Sequence, residues 1–243
     1  MRHGCKFRLL LVMVVSSTAG CHMPGRPTQD SVVIDPDDVT DFNLLFKTNC
    51  SGCHGPEGKG GAALSIADPV YLAIADDALL RKVVTNGISG TSMPAFAKSA
   101  GGMLTDAQVE ILVHGLREHY SKPNTLAGLT APPYASEAGD TNRGAVVYET
   151  FCGSCHGPGG KGGAKAGSIV EGSFLALLTD QELRTLIIVG RPDLGAPDWR
   201  NNVPGKPMTP QEISDVVAWL AGQRPQFPGS PYPPAAKSAR DQP

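Results

Sequence analysis

Cys50-Ser51-Gly52-Cys53-His54-Gly55-Pro56-Glu57-Gly58-Lys59-Gly60-Gly61-Ala62 returns 102 residues later as Cys152-Gly153-Ser154-Cys155-His156-Gly157-Pro158-Gly159-Gly160-Lys161-Gly162-Gly163-Ala164. Asp77, Leu80, Arg81 and Gly87 likewise return as Asp180, Leu183, Arg184 and Gly190. A repeat of this length means that one small module has been duplicated, rather than one large core extended.

The punctuation around the motifs is helical. Thr105-Asp106-Ala107-Gln108 and Thr209-Pro210-Gln211-Glu212 are capping boxes, with proline at the first helical position in the second copy. Beyond them Val109, Leu112, Val113 and Leu116, and then Ile213, Val216, Val217 and Leu220, recur at spacings of three and four, one apolar stripe per helix. Each module reads as an opening helix (42–49; 145–151), a glycine loop, a middle helix (76–86; 180–189), a long loop and a closing helix. No alternating pattern of useful length suggests a strand, so the class is all-α. The Pro-, Ala- and Gly-rich stretch 121–139 is a linker, and the Pro-rich stretch 225–243 has the composition of a disordered tail.

Composition bounds the rest. The 243 residues are 41 % hydrophobic but only 6 % aromatic, so two modules of under about 100 residues each need another filler for their interiors. The formal charge of −2, with no basic run, excludes nucleic-acid binding. Arg2, Lys6 and Arg8 precede an apolar core from Leu9 to Val15 and small residues up to Gly20, the layout of a secretory signal peptide over 1–20. That core is far too short to span a bilayer. Thr18-Ala19-Gly20-Cys21 resembles the bacterial lipobox, with Thr18 where leucine is usual. The reading is a lipid anchor at Cys21 followed by a tether, 21–39; plain cleavage after Ala19 would instead leave Cys21 as a thiol.

Cys-x-x-Cys-His is the c-type haem attachment pattern: two thiols add to the two vinyl groups of one porphyrin, and the adjacent imidazole reaches the iron. A paired zinc site would bring its second cysteine pair within about 20 residues, whereas Cys53 and Cys152 are 99 apart. A thioredoxin-like pair would need a βαβ pattern, and a disulfide would not require the histidines.

The two motifs, with the loops and closing helices that follow them, resemble the class I cytochrome c family in tandem, over 40–120 and 140–224. The resemblance implies two tandem cytochrome c-like domains and two covalently attached haem c groups, held by Cys50 and Cys53 and by Cys152 and Cys155. It implies His54 and His156 as proximal iron ligands, and the haems as the missing filler. Ser92-Met93-Pro94-Ala95-Phe96 looks like the family's Met-Pro-x-Phe loop, which makes Met93 the distal ligand of the first iron rather than its rival Met103. Thioether ligation would raise the potential, as suits an electron carrier.

The second module departs from that pattern. Aligning Gly87 with Gly190 sets Ala196 opposite Met93 and Trp199 opposite Phe96. Met208, the one methionine in this module, aligns with Leu104 and could be a hydrophobic staple onto Ile213. Ligation of the second iron by Met208, an open distal position and ligation by Lys206 all stand as readings. His114 and His119 read as structural or solvent-facing. Trp199 and Arg200 could approach a haem edge and propionate, and Gly60, Gly61, Gly162 and Gly163 read as backbone room beside a haem.

The resemblance implies electron transfer at the bacterial cell envelope, on the periplasmic side of a membrane. Redox proteins would be the partners, a membrane respiratory complex among them. The chain would be an electron carrier rather than an enzyme. The alternative is a haem enzyme or small-gas-binding protein using an open distal site on the second haem.

Overall fold

The computed structural model describes residues 34–135 and 137–225; the signal segment, Cys21 and most of the proline-rich tail lie outside them. The chain divides into a leading unit, Met1–Asp38, and a compact unit, Val39–Pro243, which contains both repeats. Among the described residues there are ten α-helices and no strand, only the isolated bridges Ala97–Leu104 and Arg191–Ala196. The all-α class follows.

The first repeat runs α1 (Phe42–Asn49), α2 (Ser51–His54), α3 (Pro69–Ile74), α4 (Asp77–Asn86) and α5 (Asp106–Tyr120). The second runs α6 (Thr141–Phe151), α7 (Gly153–His156), α8 (Gly172–Ala176), α9 (Asp180–Val189) and α10 (Pro210–Ala221). Both expected capping boxes form, with Thr105 accepting from the Gln108 amide and Thr209 from the Glu212 amide at 3.2 Å each. A third forms at Thr179 and Glu182. α6 begins four residues before the expected Ala145, because the Asp140 carboxylate accepts the Arg143 amide at 2.8 Å and caps the extra turn. Asp76 is the cap of α4 rather than its first residue.

In each repeat the closing helix packs on the opening one, α5 on α1 and α10 on α6. The first crossing sets the Phe42 ring against Gly115, where any Cβ would overlap it. The second reverses the sizes: Gly144 takes the place of Phe42 against the backbone of α10, where a Cβ would strike Asp215 O first and meet the Trp219 Cβ at 2.7 Å. Trp219 stacks on the buried Tyr148, ring centroids 4.4 Å apart. Apolar side chains from both repeats form the core, among them Phe46, Leu112 and Val113 in the first and Phe151, Ile188 and Ile213 in the second.

The stretch between the repeats is strapped down rather than loose. Arg184, 1 % exposed, donates from Nε and Nη2 to Pro133 O at 3.1 and 3.0 Å and from Nη1 to Ser214 Oγ at 3.1 Å. Arg200 Nη1 donates to Thr125 O at 2.6 Å, and Gln181 Nε2 to Tyr134 O at 2.9 Å. Arg81, aligned with Arg184 in sequence, forms an exposed ion pair with Glu110 instead.

Candidate functional site

Cys50 ends α1 and starts α2: its amide donates to Phe46 O at 2.8 Å, and its carbonyl accepts the His54 amide at 3.0 Å. Cys152 does the same between α6 and α7, with its amide on Tyr148 O at 2.8 Å and its carbonyl on the His156 amide at 3.0 Å. The short helix places the two thiols of each pair about one turn apart and the imidazole directly after the second. Gly55 and Gly157 then turn the chain at φ +87° and +74°. Burial, followed by the neighbouring cysteine, pushes the Cys50 thiol up to about 12; the same causes push Cys152 up to about 12.

His54 Nδ1 lies 2.7 Å from Leu64 O and His156 Nδ1 lies 2.9 Å from Gly167 O. A carbonyl can only accept, so each Nδ1 carries the hydrogen and each Nε2 keeps its lone pair. This outer hydrogen bond fixes the tautomer and orients the ring of an imidazole meant for a metal. Burial also lowers the His54 pKa, which favours the neutral ring that ligation needs. Among the described residues no three His, Cys, Asp or Glu side chains converge as a metal cage. A zinc tripod is not what these residues build, whereas two thiols and one tautomer-locked imidazole per repeat fit a haem c.

The distal loops share their first and last hydrogen bonds, while the middle one is shifted by one residue, since Val84 aligns with Ile187 and Trp199 uses Ile188 O. In the first repeat Ile88 N donates to Met93 O at 3.0 Å, Phe96 N to Val84 O at 3.1 Å, and Leu104 N to Phe96 O at 2.7 Å. In the second, Arg191 N donates to Ala196 O at 2.9 Å, Trp199 N to Ile188 O at 3.2 Å, and Met208 N to Trp199 O at 2.9 Å. Ala196 thus stands where Met93 stands, and Met208 where Leu104 stands. Met93 is half-buried, Met103 is 75 % exposed, and Met208 is 2 % exposed with Asn202 Nδ2 3.9 Å from its sulfur. Lys206 holds its ammonium 4.8 Å from the Phe151 ring centroid.

Other residues are spent elsewhere. His114 and His119 are exposed, and His119 stacks on Phe42 at 4.8 Å. Arg200 lies over the Trp199 ring, pairs with Asp198 at 2.6 Å and binds Thr125 O, so its guanidinium is engaged by protein partners. A Cβ on Gly61 would strike Cys53 O, and one on Gly163 would meet Cys155 O at 2.8 Å. These two glycines let the loop close on the helix that carries the cysteines.

Helical modules that each offer a thiol pair and an oriented imidazole define a protein that holds haem covalently. The family model for "Cytochrome C oxidase, cbb3-type, subunit III" matches residues 37–114, and the model for "Cytochrome c" matches 141–223. The chain therefore belongs to the cytochromes c, as two cytochrome c-type domains in tandem with two covalently bound haem c groups. It is 30 % identical over 133 residues to a "Cbb3-type cytochrome c oxidase subunit CcoP" of Azospirillum sp. (strain B510), covering 50 % of this chain and 40 % of that one. It is 21 % identical over 220 residues to a "Cytochrome bc1 complex cytochrome c subunit" of Mycobacterium bovis, covering 87 % of this chain and 74 % of the relative. Among solved structures, one from a Kuenenia stuttgartiensis reducing HAO-like protein complex is similar at TM-score 0.40 and 17 % identity, over 79 % of this chain and all of that one. The chain spans only about two fifths of the cbb3-type subunits it matches. Among the described residues no helix is long and apolar enough to cross a membrane.

Proposed function

We propose that this chain carries electrons through two haem c centres as a subunit of, or shuttle to, a respiratory complex on the periplasmic face of a bacterial membrane. The observation that carries the reading is the duplicated imidazole geometry: His54 and His156 each spend Nδ1–H on a backbone carbonyl and keep Nε2 for an axial bond. When bound, each haem supplies a one-electron couple, and the protein sets its potential and access.

Cys50 and Cys53 would tether the first haem, and His54 and Met93 would be the residues that ligate its iron. Cys152 and Cys155 tether the second, with His156 on the proximal side. Two arrangements stand for the other side of the second iron. Met208 is the sole thioether of that repeat, and it is held in the core with its sulfur 3.9 Å from Asn202 Nδ2. Ala196 in the place of Met93 favours an open position. Neither Met93, Ala196 nor Trp199 is an acid–base group, which favours electron transfer over peroxide or hydroxyl chemistry.

The relatives named as subunits of the cbb3-type oxidase and the bc1 complex support a respiratory partner. The amino-terminal pattern supports export and lipidation at Cys21, with 21–39 as a tether reaching on the order of 65 Å when stretched, and the sequence repeat supports domains over 40–120 and 140–224.

Reductive titration of the haem-loaded protein tests this. Two reversible one-electron steps, with re-oxidation by a cbb3-type oxidase preparation and no peroxide turnover, are expected. Multiple-turnover consumption of peroxide would overturn the carrier reading in favour of an enzyme. Intact-mass analysis of membrane-extracted protein should show an acylated chain starting at Cys21; an unmodified chain starting earlier would overturn the anchor.

A further inference from the structure

The loop that offers Met93 in the first repeat does different work in the second. Arg191 and Asp193 replace Ile88 and Gly90, and both side chains reach across to the first repeat. Arg191 Nη2 donates to Gly61 O at 3.0 Å, while Asp193 Oδ2 accepts the Gly60 amide at 3.2 Å. The two residues also pair with each other, Arg191 Nε to Asp193 Oδ1 at 2.9 Å and Nη2 to Oδ2 at 2.8 Å. Their side chains are only 16 % and 14 % exposed, so this ion pair is shielded rather than lying free on the surface.

Both ends of the contact touch a haem-binding element. Gly61 packs on the Cys53 carbonyl, one residue from His54. Arg191 exchanges both backbone hydrogen bonds with Ala196, the residue in the place of Met93: Arg191 N to Ala196 O at 2.9 Å and Ala196 N to Arg191 O at 3.0 Å. The same face is closed by α3 of the first repeat packing on α9 of the second. Ile88 and Gly90 could not reproduce the clasp, since neither side chain can donate or accept a hydrogen bond.

We propose that Arg191 and Asp193 are positioning residues that clasp the proximal loop of the first haem domain onto the distal loop of the second, setting the two haem centres for direct electron exchange within one chain. The exchange moves one electron, one iron being oxidised as the other is reduced, with no bond made or broken. The inference rests on the electron-carrier reading.

The test uses the full haem-loaded chain and the variants Arg191→Ala, Arg191→Lys and Asp193→Asn. Amide hydrogen exchange is followed over residues 55–64. Electron equilibration between the haems is followed after photoreduction with substoichiometric reductant. Arg191→Ala should raise exchange in 55–64 and slow the internal equilibration, each by about tenfold, the loss carried by one charge-assisted contact. The bimolecular reduction rate and both haem spectra should stay as in wild type. Arg191→Lys keeps the charge without the fork and should fall between the two. Asp193→Asn should loosen Gly60 in the same direction, and it decides the matter if Arg191→Ala does not load haem. Unchanged exchange and equilibration in the variants would overturn the clasp; faster exchange with unchanged equilibration would overturn its positioning role. Haems that fail to cycle reversibly in wild type would instead defeat the carrier reading, and the exchange measurement would still report on the clasp.

Discussion

The Phe42 ring lies against Gly115 at the crossing of α1 and α5, and the second repeat presents the same crossing with the sizes exchanged, Gly144 against Trp219. Each pair holds one large and one absent side chain, so the helices approach closely in both repeats while the bulk comes from opposite partners. Interiors packed this tightly tolerate a volume change only when a neighbour compensates.

Gly115→Trp alone should therefore cost about 3 kcal/mol of stability, the upper part of the range for overpacking. Adding Phe42→Gly should restore more than half of that loss, because it recreates the arrangement of the second repeat. Denaturant unfolding of the haem-loaded single and double variants measures the coupling. Strictly additive losses would mean that the crossing is not a compensated pair.

A second expectation concerns the axial residues. Met93→Ala should abolish the long-wavelength charge-transfer band of Met–iron bonding, while Met103→Ala leaves it intact, since Met103 is 75 % exposed. Met208→Leu puts the residue of the first repeat into the matching seat of the second. If the second iron has an open distal position, this change leaves the spectrum untouched and half of the haem binds carbon monoxide in wild type. If Met208 is the ligand, one of two charge-transfer bands disappears.

The acid limb of stability should report Asp215. Its carboxylate, 3 % exposed, accepts from Arg143 Nε at 2.7 Å, from the Asp140 amide at 2.7 Å and from Gln211 at 2.9 Å. The Arg143 hydrogen bond above all holds the group down to about 2. A pKa depressed on folding contributes stability above the unfolded value, lost as pH falls through the folded one. Asp215→Asn should cost about 1 kcal/mol at pH 7, a figure reduced for the solvent around half-exposed Arg143. The difference from wild type should close between about pH 4 and pH 2. A constant difference across that window, measured by chemical unfolding, would remove the ion pair from the account.

The aligned arginines should behave differently. Arg184 is buried, and its donors serve Pro133 O and Ser214, so Arg184→Met strands those acceptors and should cost about 2–4 kcal/mol. Arg81→Met, which removes an exposed pair with Glu110, should leave the unfolding midpoint nearly unchanged. Equal effects at the two positions would contradict the strap.

What could be read beforehand follows from range. The thiol-and-imidazole motifs, the capping boxes and the apolar stripes are local patterns, so α1, α5, α9 and α10 and the duplicated Cys-x-x-Cys-His motifs were legible. The alignment of Ala196 with Met93 also held, because the glycines before both loops keep their spacing. α3 and α8 are too short for periodicity, although Asp68 before Pro69 is a helix-start signal that could have revealed α3. Thr179 and Glu182 form a capping box that was equally visible. The strap at Pro133 and the clasp at Gly60 and Gly61 join residues 51 and about 130 positions apart. Contacts at that separation leave no periodic trace, and an alignment of the repeats hides them, because it pairs Arg184 with an arginine that has a different task.

The central claim is that each repeat binds one haem through two thioethers. Protein recovered from a host competent in cytochrome maturation should, after denaturation and acid–acetone extraction, weigh the polypeptide plus two haem groups. The Cys50→Ser/Cys53→Ser variant should keep one. A wild-type chain that retains a single haem, or gives up all of its haem to the solvent, would contradict the account.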